Sequence, residues 1–222
     1  MASTPSSTPT TESPSEGGSN LLARLQAHRK VLTGAGIAVA LIVLVGWFMI
    51  ESGRRREAAA SGILEGAWGL QDQGDLPQAS AEFQRVVDGF SGTDAANQAV
   101  LALNQVRIES GQSQIAADAL TAFLATGPAA EHAGAAHRLL GVAQENLGMP
   151  DEAAASYEQA ATLATLGPFK AEALLSAARA FRNAGKPDDA IRVLRKILAE
   201  HEQAAVTGEA RVRLAELTQG GM

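Results

Sequence analysis

Apolar and polar positions follow a helical spacing in repeated blocks over the C-terminal three-quarters of the chain. Four glycines stand 37 residues apart, at positions 74, 111, 148 and 185. The fifth residue after each glycine is alanine and the ninth is large, as in Ala79 and Phe83, Ala116 and Leu120, Ala153 and Tyr157, and Ala190 and Leu194. These steps fall on one helix face, and a second amphipathic segment precedes each glycine. The pattern therefore predicts four helix–turn–helix units.

Each glycine falls where a helix needs a left-handed C-terminal cap. In two units the next helix begins with proline in its first turn, at Pro150 and Pro187, followed by acidic residues that complement the helix dipole. A lone helix over about residues 209–217 follows the fourth pair, with Val212, Leu214 and Leu217 as its apolar positions. The period predicts an all-α helical solenoid of four helix pairs closed by a C-terminal capping helix.

An apolar stretch of a different kind lies upstream, at residues 31–50. It holds 20 residues without a charge, a length that suits a transmembrane helix, and three basic residues lie close to each end. It is too long for the apolar region of a cleavable signal peptide, so we expect an uncleaved anchor. The positive-inside rule does not decide its orientation, because the flanking charges balance.

These patterns divide the chain into five segments. Residues 1–20 are rich in Ser, Thr and Pro and are predicted to be a disordered tail. A basic juxtamembrane segment at 21–30 precedes the predicted transmembrane helix at 31–50. A charged juxtamembrane linker at 51–57 leads into the repeat domain at 58–218.

The sequence offers little catalytic chemistry. There are no cysteines, and the four histidines lack metal-ligand spacing, so we expect ordinary surface histidines and no metal site. No phosphate-binding glycine motif is present. From residue 58 onward there are 12 Lys and Arg against 20 Asp and Glu, the wrong balance for a nucleic-acid surface. We therefore expect a non-enzymatic protein with no cofactor, no small-molecule substrate and no nucleic-acid partner.

Other proteins are the partners that a solenoid suits, because its curvature creates a concave surface lined by the first helix of each unit. In the register above, the predicted lining residues are Leu64, Trp68, Leu101, Gln105, Ile108, Arg138, Val142, Asn146, Leu175, Arg179 and Arg182. This surface suits an extended or helical protein segment, with Trp68 as the strongest single candidate. Its apolar members are equally suited to packing between helices.

The repeat resembles the tetratricopeptide repeat (TPR). The third unit carries most of that pattern, in Leu140, Gly141, Gly148, Ala153, Tyr157 and Ala160. The period of 37 exceeds the usual 34. The tryptophan usual in the first helix is missing at its expected places, Ile63, Val100, His137 and Leu174.

The order of tail, anchor, charged stretch and repeats resembles a bacterial family, the membrane-anchored ancillary subunit of the SecYEG translocon. The repeat type is shared with a periplasmic cell-division coordinator. The resemblance implies an inner-membrane protein with periplasmic repeats that assists exported proteins between the translocon and periplasmic chaperones. A scaffold for envelope or cell-division machinery and a cytoplasm-facing docking receptor are the alternatives. The lysine and asparagine clamp that such repeats use for chaperone tails is not matched.

Overall fold

The computed structural model describes the backbone of residues 29–219 and the side chains of residues 38–218, and this region is all-α. Its nine helices are α1 (Arg29–Asp72), α2 (Leu76–Gly89), α3 (Asp94–Glu109), α4 (Ser113–Ala125), α5 (Ala130–Asn146), α6 (Pro150–Leu163), α7 (Gly167–Asn183), α8 (Pro187–Glu200) and α9 (Thr207–Gln219). The predicted solenoid of four helix pairs and a final helix is confirmed.

The chain divides into two units, residues 1–52 and 53–222, and the border falls within α1. Residues 51–57, expected to be a linker, are helical. Among the side chains that the structure describes, no helix is long and apolar enough to span a membrane. The predicted tail, residues 21–28 of the predicted basic segment, and the side chains of residues 31–37 of the predicted transmembrane helix lie outside the described residues.

All four units reverse direction through the same three-residue turn. The glycine of each turn has a positive φ, between 73° and 80°. In the third unit, Gly148 N donates to Glu145 O at 3.0 Å and Met149 N donates to Gln144 O at 2.9 Å. The equivalent two bonds recur in the other three units, which defines a Schellman cap. Only glycine adopts this φ without steric cost, which explains the fixed interval in the sequence.

The alanine and the large residue that follow each glycine form the interior of the solenoid. All four alanines are fully buried, and the large residues Phe83, Leu120, Tyr157 and Leu194 are at most 2% exposed. The small side chain lets the second helix approach the first, and the large one fills the space beside it. Burying one such large apolar side chain contributes about 1.5–3 kcal/mol. The core consists of three consecutive apolar clusters along the described repeats.

The last helix, α9, closes the apolar cluster formed by α6, α7 and α8. Leu214 and Leu217 are partly buried and pack against this cluster, as expected of a capping helix. Val212 was predicted to share their face, but it is 59% exposed. Helix α9 begins at Thr207, and in its register residue 212 turns away from α8.

Replacing the glycine of the third turn separates backbone strain from packing. Gly148→Ala is expected to lower the free energy of unfolding by about 1–2 kcal/mol, because alanine disfavours the left-handed conformation. No atom lies within 4 Å of the added Cβ, so a steric clash contributes nothing.

Gly66→Ala is the matched control, because Gly66 is helical and its Cβ would also enter open space. It should raise the free energy of unfolding by up to about 1 kcal/mol through helix propensity. Denaturant midpoints of the full chain measure both changes. Shifts of the same sign in the two variants would contradict this account of the turn.

Candidate functional site: a groove between α5 and α7

A groove of about 970 Å³ opens on the side of the solenoid formed by the first helices of the third and fourth units. Its walls are α5 and α7, its floor is α6, and the loop after α6 and the start of α9 close one end. The side chains that determine its chemistry are Glu131, Arg138, Val142, Glu145, Tyr157, Leu163, Leu166, Phe169, Glu172, Leu175, Arg179, Val206 and Glu209. The lining is mainly apolar, which is typical of ligand-binding sites.

The groove opens where two successive first helices do not pack directly on each other. The first helices of the second and third units, α3 and α5, pack directly on each other, whereas α5 and α7 face each other across the groove. Gly134, Ala135, Ala160 and Ala173 lie along its walls and floor and leave space that larger side chains would fill. Two apolar residues, Leu166 and Phe169, are 57% and 59% exposed at one end. The groove therefore presents apolar surface that no described residue covers.

Tyr157 forms the floor and is held from two sides. Its hydroxyl donates to Glu145 Oε2 at 2.7 Å. Its ring lies against Gly141, where an added Cβ would come within 2.7 Å of the ring. Burial, followed by the Glu145 carboxylate, raises the pKa of Tyr157 well above its ordinary value. Helices α5 and α6 therefore meet at Gly141, and this contact fixes the floor of the groove.

The charged residues divide the groove into two ends. Arg138 and Arg179 both lie near Tyr157, where their positive charges favour its ionised form. Among the described residues neither arginine pairs with a carboxylate, and Arg179 donates only to Ser176 Oγ at 3.0 Å. Glu131, Glu172 and Glu209 lie toward the opposite end, beside the exposed apolar residues. The groove thus has one end with available cations and one acidic, apolar end.

Four of the eleven predicted lining residues come together here: Arg138, Val142, Leu175 and Arg179. The prediction that Leu64 lines a binding surface is corrected, because this residue is 3% exposed and belongs to the core of the first unit. Leu101 and Ile108 pack against the middle apolar cluster. Packing between helices was the alternative that the sequence left open for the apolar lining residues.

The other predicted lining residues are polar or aromatic and lie outside this groove. Asn146 donates to Ser113 Oγ at 3.1 Å and so ties α5 to α4. Gln105 donates to Glu109 at 3.0 Å on its own helix. Trp68 is 39% exposed, and Arg182 is exposed, but neither contributes to the groove.

A second polar cluster lies beside the acidic end of the groove. The expectation that every histidine is a surface residue is wrong for His132, which is 7% exposed. Its Nε2 donates to Asp94 Oδ1 at 2.7 Å and lies 3.9 Å from Glu131 Oε1. Hydrogen bonds from His132 and then Gln98 lower the pKa of Asp94.

Two of the remaining histidines, His137 and His201, are only partly exposed. His137 Nδ1 and His201 Nε2 are buried without a hydrogen-bond partner among the described residues. Burial lowers the pKa of His137. His28 lies outside the described residues.

The repeat register contains a signal for the Asp94 cluster that the sequence analysis missed. Glu57, Asp94 and Glu131 are spaced by 37 residues, so they occupy one position in three successive units. The Glu57 carboxylate accepts from Asp94 N at 2.8 Å and Ala95 N at 2.9 Å, at the start of α3. Asp94 in turn accepts from His132 near the start of α5. Glu57 and Asp94 therefore each contact the beginning of the next first helix.

An array of paired helices that pack on one another in successive units is the architecture of helical-repeat proteins. The sequence profile of the tetratricopeptide repeat matches residues 101–171, 146–205 and 175–217, which together span more than half of the chain. The chain belongs to the tetratricopeptide repeat family. No curated protein sequence matches it.

Solved structures share the fold at low sequence identity. A tetratricopeptide repeat protein from Parabacteroides merdae has a TM-score of 0.59 and 16% identity, over 73% of this chain and 61% of that one. Nearly identical TPR-like repeats from Podosopora anserina have a TM-score of 0.61 and 21% identity, over 74% of this chain and 88% of that one. MamA (residues 41 to the end) from Desulfovibrio magneticus RS-1 has a TM-score of 0.53 and 19% identity, over 65% of this chain and 77% of that one. These similarities show the fold.

Tyr157 is the only tyrosine of the chain, so its titration can be followed alone. In denaturant its hydroxyl should ionise near the ordinary pKa of about 10. Folding raises this pKa, so the stabilisation is fully present below the unfolded pKa and is lost as the pH rises above it. In the native protein, tyrosinate absorbance should therefore appear only at higher pH or on unfolding.

Glu145→Gln should move the native titration of Tyr157 back toward the ordinary value, because it removes the negative charge beside the hydroxyl. Glu216→Gln, a change at an exposed glutamate of α9, is the control and should have no effect. Circular dichroism at each pH shows whether the chain is still folded. Coincident titrations of the native and denatured protein would exclude the buried Tyr157–Glu145 pair.

Proposed function

We propose that the protein is a non-enzymatic, membrane-anchored interaction module whose groove between α5 and α7 binds a segment of another protein. The single observation that carries the binding role is the groove itself. It combines exposed apolar residues with two arginines that have no carboxylate partner among the described residues. A solenoid of this family is generally a non-catalytic scaffold for protein partners.

The groove favours a partner segment of particular chemistry. Leu166, Phe169 and Val206 offer contacts to apolar side chains at one end. At the other end, Arg138 and Arg179 favour a carboxylate, since guanidinium groups bind carboxylates in a bidentate manner. The acidic residues around Phe169 disfavour a second carboxylate there. The expected ligand is an amphipathic segment with apolar side chains and an acidic group toward one end.

The membrane location rests on the sequence and on exposed side chains of α1. Residues 31–50 carry no charge. The large apolar residues between Val39 and Ile50 are 53% to 71% exposed. Helices that are apolar on all sides are typical of membranes or of large protein cores. The proposed location is the bacterial inner membrane, with the repeats in the periplasm, as the resemblance to the translocon-associated family implies.

The proposed task is to assist exported proteins between the Sec translocon and periplasmic chaperones. Anchoring beside the translocon would raise the effective concentration of the groove near emerging chains, so a weak and reversible contact would suffice. A scaffold of the envelope or cell-division machinery would use the same groove with other partners. A cytoplasm-facing docking receptor would have the opposite topology.

The topology can be measured with a single introduced cysteine, because the chain has none of its own. Asp118→Cys places a thiol at an exposed position of α4. We expect a membrane-impermeant maleimide to label it in cells with a permeabilised outer envelope and a sealed inner membrane. Labelling only after the inner membrane is lysed would place the repeats in the cytoplasm and overturn the translocon and chaperone proposal.

Photo-crosslinking from the groove tests the partner. Phe169 and Val212 are both 59% exposed, but only Phe169 lies in the groove. A photoreactive phenylalanine analogue at position 169 should form adducts with translocon or chaperone subunits in living cells. The same analogue at position 212 is the matched control and should form few. Equal adducts from both positions would show that the groove is not the binding site.

Charge reversal separates the groove from general surface charge. Arg138→Glu together with Arg179→Glu should reduce the adducts from position 169 by at least about 10-fold, the effect of losing roughly 1.4 kcal/mol of binding free energy. Arg211→Glu, an exposed arginine of α9, is the control. Circular dichroism should be unchanged in both the double variant and the control. Adducts with cell-division or envelope proteins instead would support the scaffold alternative.

A further inference from the structure

Asp94 and His132 lie outside the groove lining, and with Glu131 at the acidic end of the groove they form a cluster of possible metal ligands. One ligating atom from each residue lies within 4.8 Å of the other two. Two of the residues belong to the third unit and one to the second, so the cluster bridges successive repeats. We propose that these three side chains bind one zinc ion at the acidic end of the groove.

The histidine is the observation that raises this cluster above a surface patch of acids. The His132 side chain is nine-tenths buried, and its Nε2 faces carboxylates of two different helices. Nε2 lies 2.7 Å from Asp94 Oδ1 and 3.9 Å from Glu131 Oε1. Ligand atoms around a tetrahedral zinc ion stand roughly 3.4 Å apart, given metal–ligand bonds of about 2.1 Å. The observed separations lie on either side of this value.

Neighbouring groups hold the ligands in place, as the hydrogen-bond partners of ligating side chains do in zinc sites. Gln98 Nε2 donates to Asp94 Oδ2 at 2.6 Å, which orients the carboxylate and leaves Oδ1 toward His132. The backbone N–H of Asp94 is fixed by Glu57. Glu131 has an exposed side chain, so it can rotate the remaining distance at little cost. Zinc would replace the proton between Nε2 and Oδ1, and the imidazole would carry its proton on Nδ1.

The donor set favours zinc over the common hard cations. One imidazole nitrogen with two carboxylates suits a borderline metal, whereas Mg²⁺ and Ca²⁺ prefer oxygen ligands alone. No lysine or arginine among the described residues pairs with Asp94 or Glu131, so the two negative charges remain available to a dication. Three protein ligands leave a fourth position open for water. The site does not depend on the identity of the partner.

Calorimetry of the purified full chain with zinc chloride tests the site. We expect one zinc ion per chain and a rise in the thermal midpoint with zinc concentration, because binding to the folded state stabilises it. Glu131→Gln removes a ligand but leaves the His132–Asp94 hydrogen bond, so the fold without metal should be unchanged. It should weaken zinc binding by at least about 10-fold.

Two further variants and a second metal complete the test. His132→Gln should abolish the zinc-dependent rise in midpoint, and if this variant does not fold, Glu131→Gln decides alone. Glu216→Gln is the matched distant control and should bind zinc like the wild type. Magnesium chloride should produce no comparable effect. The proposal is overturned if zinc does not bind stoichiometrically, if Glu131→Gln binds it unchanged, or if magnesium binds equally well.

Discussion

The left-handed turn at four glycines is the constraint on which the rest of the structure depends. It reverses the chain within three residues and ends one helix with paired Schellman hydrogen bonds. The next helix then starts at a fixed distance, so its alanine always meets the preceding helix at the same height. A side chain larger than alanine at that point would separate the pair. The repeated interior, and with it the position of the groove, follows from this geometry.

The groove illustrates how a regular array produces a local irregularity. In the second and third units the first helices pack together, but α5 and α7 stand apart across the groove, whose lining includes several small residues. Tyr157 takes the position that Phe83, Leu120 and Leu194 hold in the other units. Its hydroxyl is therefore the one polar group at this buried register, and Glu145 satisfies it. One substitution within the repeat thus places a hydrogen-bonded pair under the groove, near Arg138 and Arg179.

The helices were predictable because the relevant signals are local. Glycine spacing, the alanine at the fifth position and proline in the first turn all act within one unit, and each appears in the structure as expected. The groove was less predictable, because lining depends on how units pack. Leu64 and Arg138 both belong to first helices, yet one is buried and the other is exposed. Burial of His132 depends on Asp94, which lies 38 positions away, so helical periodicity alone gave no sign of it.

The acids at positions 57, 94 and 131 make different contacts although they occupy one position of the repeat. Glu57 performs a structural task, because it receives two backbone amides of the next unit. At the equivalent place after Glu131 stands Pro168, which has no N–H to offer. Glu131 therefore cannot form the same pair of backbone amide contacts that Glu57 forms. One position of the repeat thus holds the start of the next helix in one unit and presents an exposed carboxylate in another.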